Sequence, residues 1–351
     1  MEYSIALASE VDSWRWVVRA EELGFSTAWF YDTQLLNPDV FVCMALAAHH
    51  TDRIRLGTGV LVPSNRIEPV TANALASLNK LAPGRIDFGV GTGFTARRTM
   101  GLGAMTLARV RTYIERVQTL LRGEVVDWDF EGEEHKIAFL NPDLGLINIE
   151  DDIALWLSAF GPKSQQLVAA LGAGWINFAA TQGAAGSLAR MQQIWRDAGR
   201  SDHTLATNLF TMGAVLTGNT TEDEARLMAQ GGPFTSVMFH NFADEMGAMG
   251  SAIPDGPLAE PLASYLEVHA GYEPADAKYL HNHRGHLMFV RPEERHITPD
   301  LVRATSMSGT ANELVAQLRT LRDAGYGQVT IQLVHGHEAA IEDWAAVLRA
   351  V

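Results

Sequence analysis

The segment Ile54-Arg-Leu-Gly-Thr-Gly-Val-Leu-Val-Pro-Ser-Asn-Arg66 constrains the fold more than any other part of the chain. It is an apolar, β-branched run that two glycines interrupt and Pro63 ends, which is typical of a parallel strand with both faces buried. A second predicted strand, at residues 85–93, has the same design and also ends in glycines. Glycine in a strand marks a bulge or the close approach of another group. Two neighbouring strands of this kind predict a flat molecule lying across their carboxyl ends.

Strand and helix patterns alternate along most of the chain with short connections, which predicts parallel strands joined by right-handed crossovers. Eight strands are predicted, at residues 4–8, 27–32, 54–66, 85–90, 155–160, 174–179, within 205–216 and at 328–334. This count predicts the α/β class and a (β/α)₈ TIM barrel. Two connections are too long for simple loops, one of roughly residues 94–154 after strand four and one of roughly 229–307 after strand seven. We therefore interpret residues 1–351 as a single barrel domain with two insertions that can rise over its C-terminal mouth.

Composition narrows the classes of function. The net charge of −14 argues against nucleic acids and anionic membrane surfaces as partners. No stretch reaches the roughly 18 apolar residues of a membrane span, and the first residues lack the basic region of a signal peptide. The one cysteine, Cys43, lies in an apolar helical run and fits a reducing compartment. We expect a cytoplasmic protein that acts on a small molecule.

Two glycine-containing loops are candidate phosphate sites. Residues 91–96, Gly-Thr-Gly-Phe-Thr-Ala, fit the loose dinucleotide pattern, which also requires an immediate helix and an acid at the end of the next strand about 20 residues on. Here residues 111–115 are predicted to be helical and Glu115 is interpreted as solvated surface, so a Rossmann site is not favoured. Residues 158–165, Ser-Ala-Phe-Gly-Pro-Lys-Ser-Gln, combine a strand end, a Gly-Pro turn and a helix start. Free N–H groups at such a helix end attract anions, and Lys163 and Ser164 add to them. The alternative is an ordinary turn between strand and helix.

Candidate catalytic groups lie in two places. Asp32 and Thr33 follow strand two, where barrel enzymes place catalytic residues, although a helix-capping turn explains them too. His281, His283 and His286 lie in the second insertion. A zinc site lacks a matching carboxylate or cysteine, so no metal is expected, and the alternatives are a solvated cluster or an acid–base relay at the substrate pocket. In the relay, a histidine is expected to titrate near the reference pKa of about 6.5.

Several segments together carry a resemblance to a known family. The chain resembles the bacterial luciferase-like flavin- or F420-dependent oxidoreductases, in the branch of the methylenetetrahydromethanopterin reductases. The resemblance covers nearly the whole chain, and each segment is a weak signal alone. The segments that carry it are residues 22–25, 53–60, 69–74, 84–93, 161–163 and 308–310.

The resemblance implies a flavin or deazaflavin over the barrel mouth, either FMN in its reduced form or coenzyme F420. It implies a non-prolyl cis peptide at Gly59–Val60 in the bulge of strand three. The residues that it places around the ring system and its tail are Asp32, Gly59, Val60, Val62, Thr92 and Gly93. Those that it places near the cofactor phosphate are Ala159, Gly161, Pro162 and Lys163. It also implies a homodimer and, for an FMN enzyme, a flavin reductase as the source of reduced flavin.

The chain departs from the F420-dependent sugar-phosphate dehydrogenases at two positions. Those enzymes carry His after the Asp of strand two and Glu after Gly-Thr-Gly, whereas this chain has Thr33 and Phe94. Their substrate is therefore not carried over, and Thr33, His283 and His286 are the catalytic candidates. The leading hypothesis is a luciferase-like monooxygenase or a hydride-transferring reductase or dehydrogenase. The alternatives are a metal-dependent barrel hydrolase that uses the three histidines, and a cofactor-binding protein without turnover.

Overall fold

Eight parallel strands close into a barrel, which confirms the predicted fold class. The computed structural model describes residues 1–178, 181–249, 253 and 256–351. Around the barrel the strand order is β1-β12-β9-β8-β7-β4-β3-β2, so that β1 and β12 close it in parallel register. Ala179, the predicted last residue of strand six, lies outside the described residues. The barrel strands are β1 (Glu2–Leu7), β2 (Thr27–Phe30), β3 (Arg55–Thr58), β4 (Ile86–Val90), β7 (Ala154–Ser158), β8 (Gly174–Phe178), β9 (Thr207–Thr211) and β12 (Gln328–Leu333).

Helices surround the barrel and extend over its C-terminal end. Their ends follow the local sequence: Asp39 accepts hydrogen bonds from the first turn of α2, and Thr310 forms a capping box with Glu313 at the start of α13. The helices are α1 (Trp14–Leu23), α2 (Val40–His50), α3 (Glu68–Leu81), α4 (Phe94–Arg98), α5 (Leu107–Leu121), α6 (Pro162–Leu171), α7 (Thr181–Asp197), α8 (Thr220–Gln230), α9 (Gly232–Met249), α10 (Ala259–Ala270), α11 (Tyr279–Asn282), α12 (Pro299–Thr305), α13 (Ala311–Ala324) and α14 (Ile341–Leu348).

Two long segments interrupt the alternation of strands and helices. Between β4 and β7 the chain forms α4, α5 and an antiparallel hairpin of β5 (Val126–Phe130) and β6 (Glu133–Ile137). Between β9 and β12 it forms α8 to α13 and a short parallel pair, β10 (Val215–Leu216) with β11 (Gly309–Thr310). Within the described ranges, we find no helix that combines the length and the apolar character of a membrane span.

The interior of the barrel is filled around Trp29. Its indole is fully buried and contacts the rings of Trp156, edge-on at 5.8 Å, and Phe210, at 5.6 Å. A Cβ atom added to Gly57 would lie 2.4 Å from the Trp29 ring. We expected a bulge, a second backbone or a ligand at the glycines of β3, and at Gly57 the close neighbour is instead this indole. The aromatic layer closes the barrel below its C-terminal mouth.

Candidate functional site

A cavity of about 300 Å³ opens at the carboxyl ends of the barrel strands. Its floor and sides come from the residues that follow β2, β3, β4 and β7 and from the ends of β8 and β9. Its cover comes from α9, through Val237 and Asn241, and from His286 and Leu287 in the loop after α11. The second long segment therefore reaches the mouth of the barrel.

The cavity brings together most of the residues proposed from the sequence. Nine of them line it: Asp32, Thr33, Gly59, Val60, Val62, Thr92, Gly93, Gly161 and His286. The Gly59–Val60 peptide is cis, which confirms the prediction for the end of strand three. The neighbouring Leu61 forms an isolated bridge with Val90, so the bulge stays tied to β4.

Four predicted residues do not line the cavity. Ala159 is buried below the loop, and its carbonyl accepts a hydrogen bond of 2.7 Å from the Trp175 indole. Pro162 and Lys163 form the exposed first turn of α6, beside Gly161 in sequence. His283 is only 1% exposed and lies behind His286, with 6.2 Å between the two ring centroids.

The carboxylate of Asp32 is occupied by protein partners. It pairs with Arg66 at 2.9 Å and accepts a hydrogen bond of 3.0 Å from the backbone N–H of Val62. Arg66 also pairs with Asp39, at the N-terminus of α2, at 2.6 Å. Asp32 thus holds the backbone that follows the bulge, and it affects the cavity indirectly, through the position of Val62. The sequence analysis missed Arg66, whose only signal is a cation shortly after a strand end.

His286 is the titratable group of the cavity cover. Its Nε2 lies 3.3 Å from the hydroxyl of Thr95, and its Nδ1 has no hydrogen-bond partner among the described residues. Burial, and then the neighbouring His283 and His240, lower its pKa well below the usual 6.5. The expectation of titration near 6.5 is therefore wrong for this residue, because the surrounding protein disfavours the charged ring. His286 is neutral at neutral pH and is able to accept a proton.

Charged groups lie directly behind His286. The Nε2 of His283 is 2.9 Å from the Asp244 carboxylate, which also pairs with Arg98 at 3.1 Å and accepts a bond of 2.8 Å from Asn282. Burial raises the pKa of Asp244, but the contacts with His283 and Arg98 outweigh this effect and hold the pKa below its usual value. The site therefore keeps an ionised carboxylate one residue behind the cavity wall.

The three histidines do not converge on one point. His281 is exposed, and its ring stacks against Tyr272 with a centroid distance of 5.4 Å. In the described parts of the chain, the only group with three ligand atoms within 4.8 Å of one another is Glu10, His335 and Glu338, which does not line the cavity. The arrangement gives no support to a hydrolase that uses these histidines as metal ligands.

Several polar atoms of the cavity lining have no protein partner within the described residues. They are the hydroxyl of Tyr31, the amide oxygen of Asn241, Nδ1 of His286 and the amide nitrogen of Gln332. Buried polar atoms without partners are rare, since each loses hydration without compensation. These four atoms are therefore available to hydrogen-bond a polar ligand in the cavity. The sequence analysis missed Tyr31, Asn241 and Gln332; the first and last stand at strand ends, but Asn241 gave no signal.

The start of α6 is a candidate anion site next to the same cavity. Gly161 precedes the helix, and a Cβ atom added to it would meet no protein atom within 4 Å. Ser164 turns its hydroxyl onto the Gly161 carbonyl at 2.9 Å, which closes the first turn. The first N–H groups of a helix of this length are unpaired and attract negative charge. Gly161 and Ser164 both line the cavity, so a ligand there can place an anionic group at the helix end.

Comparison with known proteins agrees with this architecture. The chain is 31% identical over 209 residues to the F420-dependent glucose-6-phosphate dehydrogenase of Beutenbergia cavernae, covering 54% of this chain and 59% of the relative. It is 33% identical over 161 residues to the 5,10-methylenetetrahydromethanopterin reductase of Archaeoglobus fulgidus, covering 45% and 46%. The chain thus spans about half the length of the curated relatives that it matches.

A solved structure extends the likeness of the fold to the whole chain. The coenzyme F420-dependent tetrahydromethanopterin reductase from Methanopyrus kandleri superposes with a TM-score of 0.68 at 20% identity, covering 98% of both chains. The sequence profile of the family described as luciferase-like monooxygenase matches residues 12–328. The chain therefore belongs to the luciferase-like monooxygenase family.

Proposed function

We propose that the chain is an oxidoreductase that binds a deazaflavin or flavin in the cavity at the barrel mouth, with coenzyme F420 as the preferred cofactor. The observation that carries the proposal is the cavity itself, which joins a glycine-lined floor, unpartnered polar atoms and a helix N-terminus. F420 is preferred over FMN because a relative at 31% identity is named as F420-dependent.

The residues around the cavity suit the parts of such a cofactor. Gly59, Val60 and Val62 on one side, and Thr92 and Gly93 on another, offer backbone and small apolar groups to a flat ring. Gly161 and the first turn of α6, with Lys163, suit the phosphate that F420 and FMN share. We propose that Ala159 and Pro162 hold the shape of this loop, since neither lines the cavity.

The reaction of the preferred cofactor is a two-electron exchange with a small organic substrate. When bound, the ring supplies a centre that accepts or gives a hydride. The task of this chain is then to orient the substrate, exclude water and move the accompanying proton. His286 is neutral and lines the cavity, so we propose that it transfers the proton that accompanies the hydride. The hydroxyl of Thr33 lies in the same wall and contributes a polar contact.

His283 enters this proposal as a positioning residue. It does not line the cavity, but it lies between His286 and the ionised Asp244. A positive charge gained on His286 would be balanced through this pair at short range. Because Thr33 and Phe94 replace the His and Glu of the sugar-phosphate dehydrogenases, the proton chemistry here depends on the second insertion instead.

A monooxygenase that uses reduced FMN is the second candidate, and the description of the family favours it. Such an enzyme takes its reduced flavin from a separate flavin reductase, which would then be a functional partner. We also propose that the protein is cytoplasmic and forms a homodimer; the exposed apolar side chains of Leu140, Leu144 and Leu146 support the homodimer. Light scattering on the purified protein measures the oligomeric state.

Fluorescence titration of the purified protein with F420, FMN and reduced FMN tests the proposal. We expect saturable binding, tightest for F420, and no saturable binding of any of the three would contradict the proposed function. Saturable binding without turnover of any substrate would favour the cofactor-binding protein, and reduced FMN binding most tightly would favour the monooxygenase.

A pair of matched variants locates the binding site. Gly161→Glu adds a negative charge at the start of α6, where the new side chain has room. We expect it to weaken binding of a phosphate-bearing cofactor about tenfold or more, through repulsion at the anion site. Gly186→Glu is the control, because Gly186 is also a position where an added Cβ meets nothing within 4 Å, and it does not line the cavity. Equal affinities of the two variants would remove α6 from the site.

A further inference from the structure

The part of the cavity that faces the second long segment has a distinct chemistry. Phe178, Phe210, Val237 and Leu287 give it an apolar wall. Val237 and Asn241 stand four residues apart on α9 and so share one face of this helix. One turn earlier, Phe234 packs edge-on against Phe178 with a centroid distance of 5.1 Å. The helix is therefore anchored to the barrel rim, and it presents one polar group, Asn241, in an apolar surround.

His286 supplies the other polar group of this wall. It precedes Leu287, whose backbone has a φ of 58°, a left-handed conformation that a bulky residue seldom adopts. Such conformations persist where the surroundings enforce them, and they concentrate at functional sites. Both residues of this turn line the cavity, and Nδ1 of His286, like the amide oxygen of Asn241, has no partner in the described part of the chain.

Free positive charge is missing from this wall. Of the described residues that line the cavity, none is Lys or Arg. Two nearby cations are already paired, Arg66 with Asp32 and Asp39, and Arg98 with Asp244, while Arg97 donates to the carbonyl of Gly103. The guanidinium of Arg98 also stacks on the Phe94 ring at 3.5 Å. A dianionic phosphate would lose its hydration here without gaining a counter-charge, and this loss is costly in an apolar site.

We propose that the substrate is a compact, uncharged alcohol or ketone whose single oxygen is bound by Asn241 and His286, and that phosphorylated substrates are excluded. The inference rests on the proposed function, since the anion site at α6 is then taken by the cofactor phosphate. The amide nitrogen of Asn241 donates to this oxygen, and the neutral imidazole of His286 accepts the proton of an alcohol or, in the other tautomer, donates to a ketone. In the tautomer whose Nε2–H donates to Thr95, Nδ1 accepts the hydroxyl proton of an alcohol.

The cavity volume agrees with a small substrate. About 300 Å³ is at the lower end of the range of ligand pockets, and the cofactor ring shares this space. The apolar wall stabilises the carbon body by removing its surface from water. The oxygen fixes the orientation of the substrate, because a hydroxyl in this position gives Nδ1 of His286 a hydrogen-bond partner.

Binding of small probes, followed by NMR on ¹⁵N-labelled protein, tests the inference. The probes are cyclohexanol, cyclohexanone and glucose 6-phosphate, each added with and without saturating F420. We expect cyclohexanol and cyclohexanone to give saturable shifts of the Asn241 side-chain amide and the His286 ring, and glucose 6-phosphate to give none once F420 is bound. Saturable binding of glucose 6-phosphate at these signals in the F420-saturated protein, or no binding of cyclohexanol and cyclohexanone in either state, would overturn the inference.

Substitutions of Asn241 distinguish the effect of losing the polar contact from the effect of changing the side-chain volume. Asn241→Leu removes the amide and keeps the side-chain size, and we expect cyclohexanol to bind about five- to tenfold more weakly. Asn73→Leu, on the exposed surface of α3, is the matched control with unchanged affinity. If Asn241→Leu does not fold, Asn241→Ala serves the same purpose. Unchanged affinity in a folded Asn241 variant would refute the role of this residue.

The fluorescence titration with cofactors and the NMR titration with small probes together distinguish a failure of this inference from a failure of the proposed function. If neither F420 nor FMN binds but the cofactor-free protein still binds cyclohexanol at Asn241, the proposed function fails and the assigned oxygen site stands. If the cofactor binds and the uncharged probes do not, the proposed function stands and the inference fails.

Discussion

Lys163 stands at the second position of α6, where its backbone N–H belongs to the proposed anion site and its side chain is exposed to solvent. An exposed charge contributes less to binding than a buried one, because water and salt screen it. We therefore predict that Lys163→Ala weakens cofactor binding only about two- to fivefold at low salt, with the backbone amides retaining most of the affinity. Titrations of this variant and of Lys80→Ala, an exposed lysine far along α3, measure the difference. Equal affinity in both variants would remove the Lys163 side chain from the site.

The histidines of the second insertion differ in their relation to the cavity, and their substitutions should differ accordingly. General acid–base help is typically worth roughly 10²–10⁴-fold in rate, so we predict that His286→Gln lowers turnover by this order with little change in cofactor affinity. His283→Gln should lower turnover less, since His283 acts from behind through its pair with Asp244. The exposed His281 gives the control variant His281→Gln, with turnover unchanged. Equal turnover in all three variants would contradict a role of His286 and His283 in proton transfer and would indicate that they are structural.

Among the elements, β3 depends on a residue of its neighbour β2. The Trp29 indole fills the space beside Gly57, and an added Cβ there would lie 2.4 Å from the ring. We predict that Gly57→Ala destabilises the protein by about 1–3 kcal/mol, the usual effect of overpacking a filled core. Gly186→Ala, in helix α7 with open space around it, should be neutral or slightly stabilising. Urea unfolding of the two variants measures the difference, and equal midpoints would contradict this reading of the barrel interior.

The same elements show what sequence patterns can and cannot predict. Barrel strands and their helices follow from local periodicity and capping, which is why the eightfold order and the glycine-ended mouth were predictable. The partner of Gly57 was not, because Trp29 meets it only once the barrel closes. In the same way, Asn241 comes to line the cavity only through the packing of α9 on the rim, and no local pattern encodes that packing. His286 was found by its residue type, but its lowered pKa depends on burial by distant chain segments.

At the scale of the whole molecule, the second insertion concentrates buried titratable groups. His240 is only 2% exposed and, together with Arg291, contacts the Glu294 carboxylate. His296 packs between Phe239 and Tyr265, at ring distances of 5.0 and 5.2 Å, and neither of its ring nitrogens has a partner in the described ranges. The segment between β9 and β12 therefore contains buried groups whose protonation is linked to folding.

The stability of the fold should consequently fall in mild acid. Burial lowers the pKa of His296 to about 4, and burial likewise lowers that of His240 below 6.5. An unfolded chain binds protons on these rings below about pH 6.5, whereas the folded chain resists protonation of His296 until about pH 4 and also disfavours protonation of His240. Each lowering of pH within this window therefore favours unfolding. We predict unfolding temperatures that are steady above pH 7 and decline from pH 6.5 to 4.5, less steeply in His296→Phe. The double variant His49→Gln/His50→Gln, at the exposed end of α2, is the control and should follow the parent curve. A parent protein with constant stability across this window, or a His296→Phe variant with the same slope, would show that these rings do not govern the acid response.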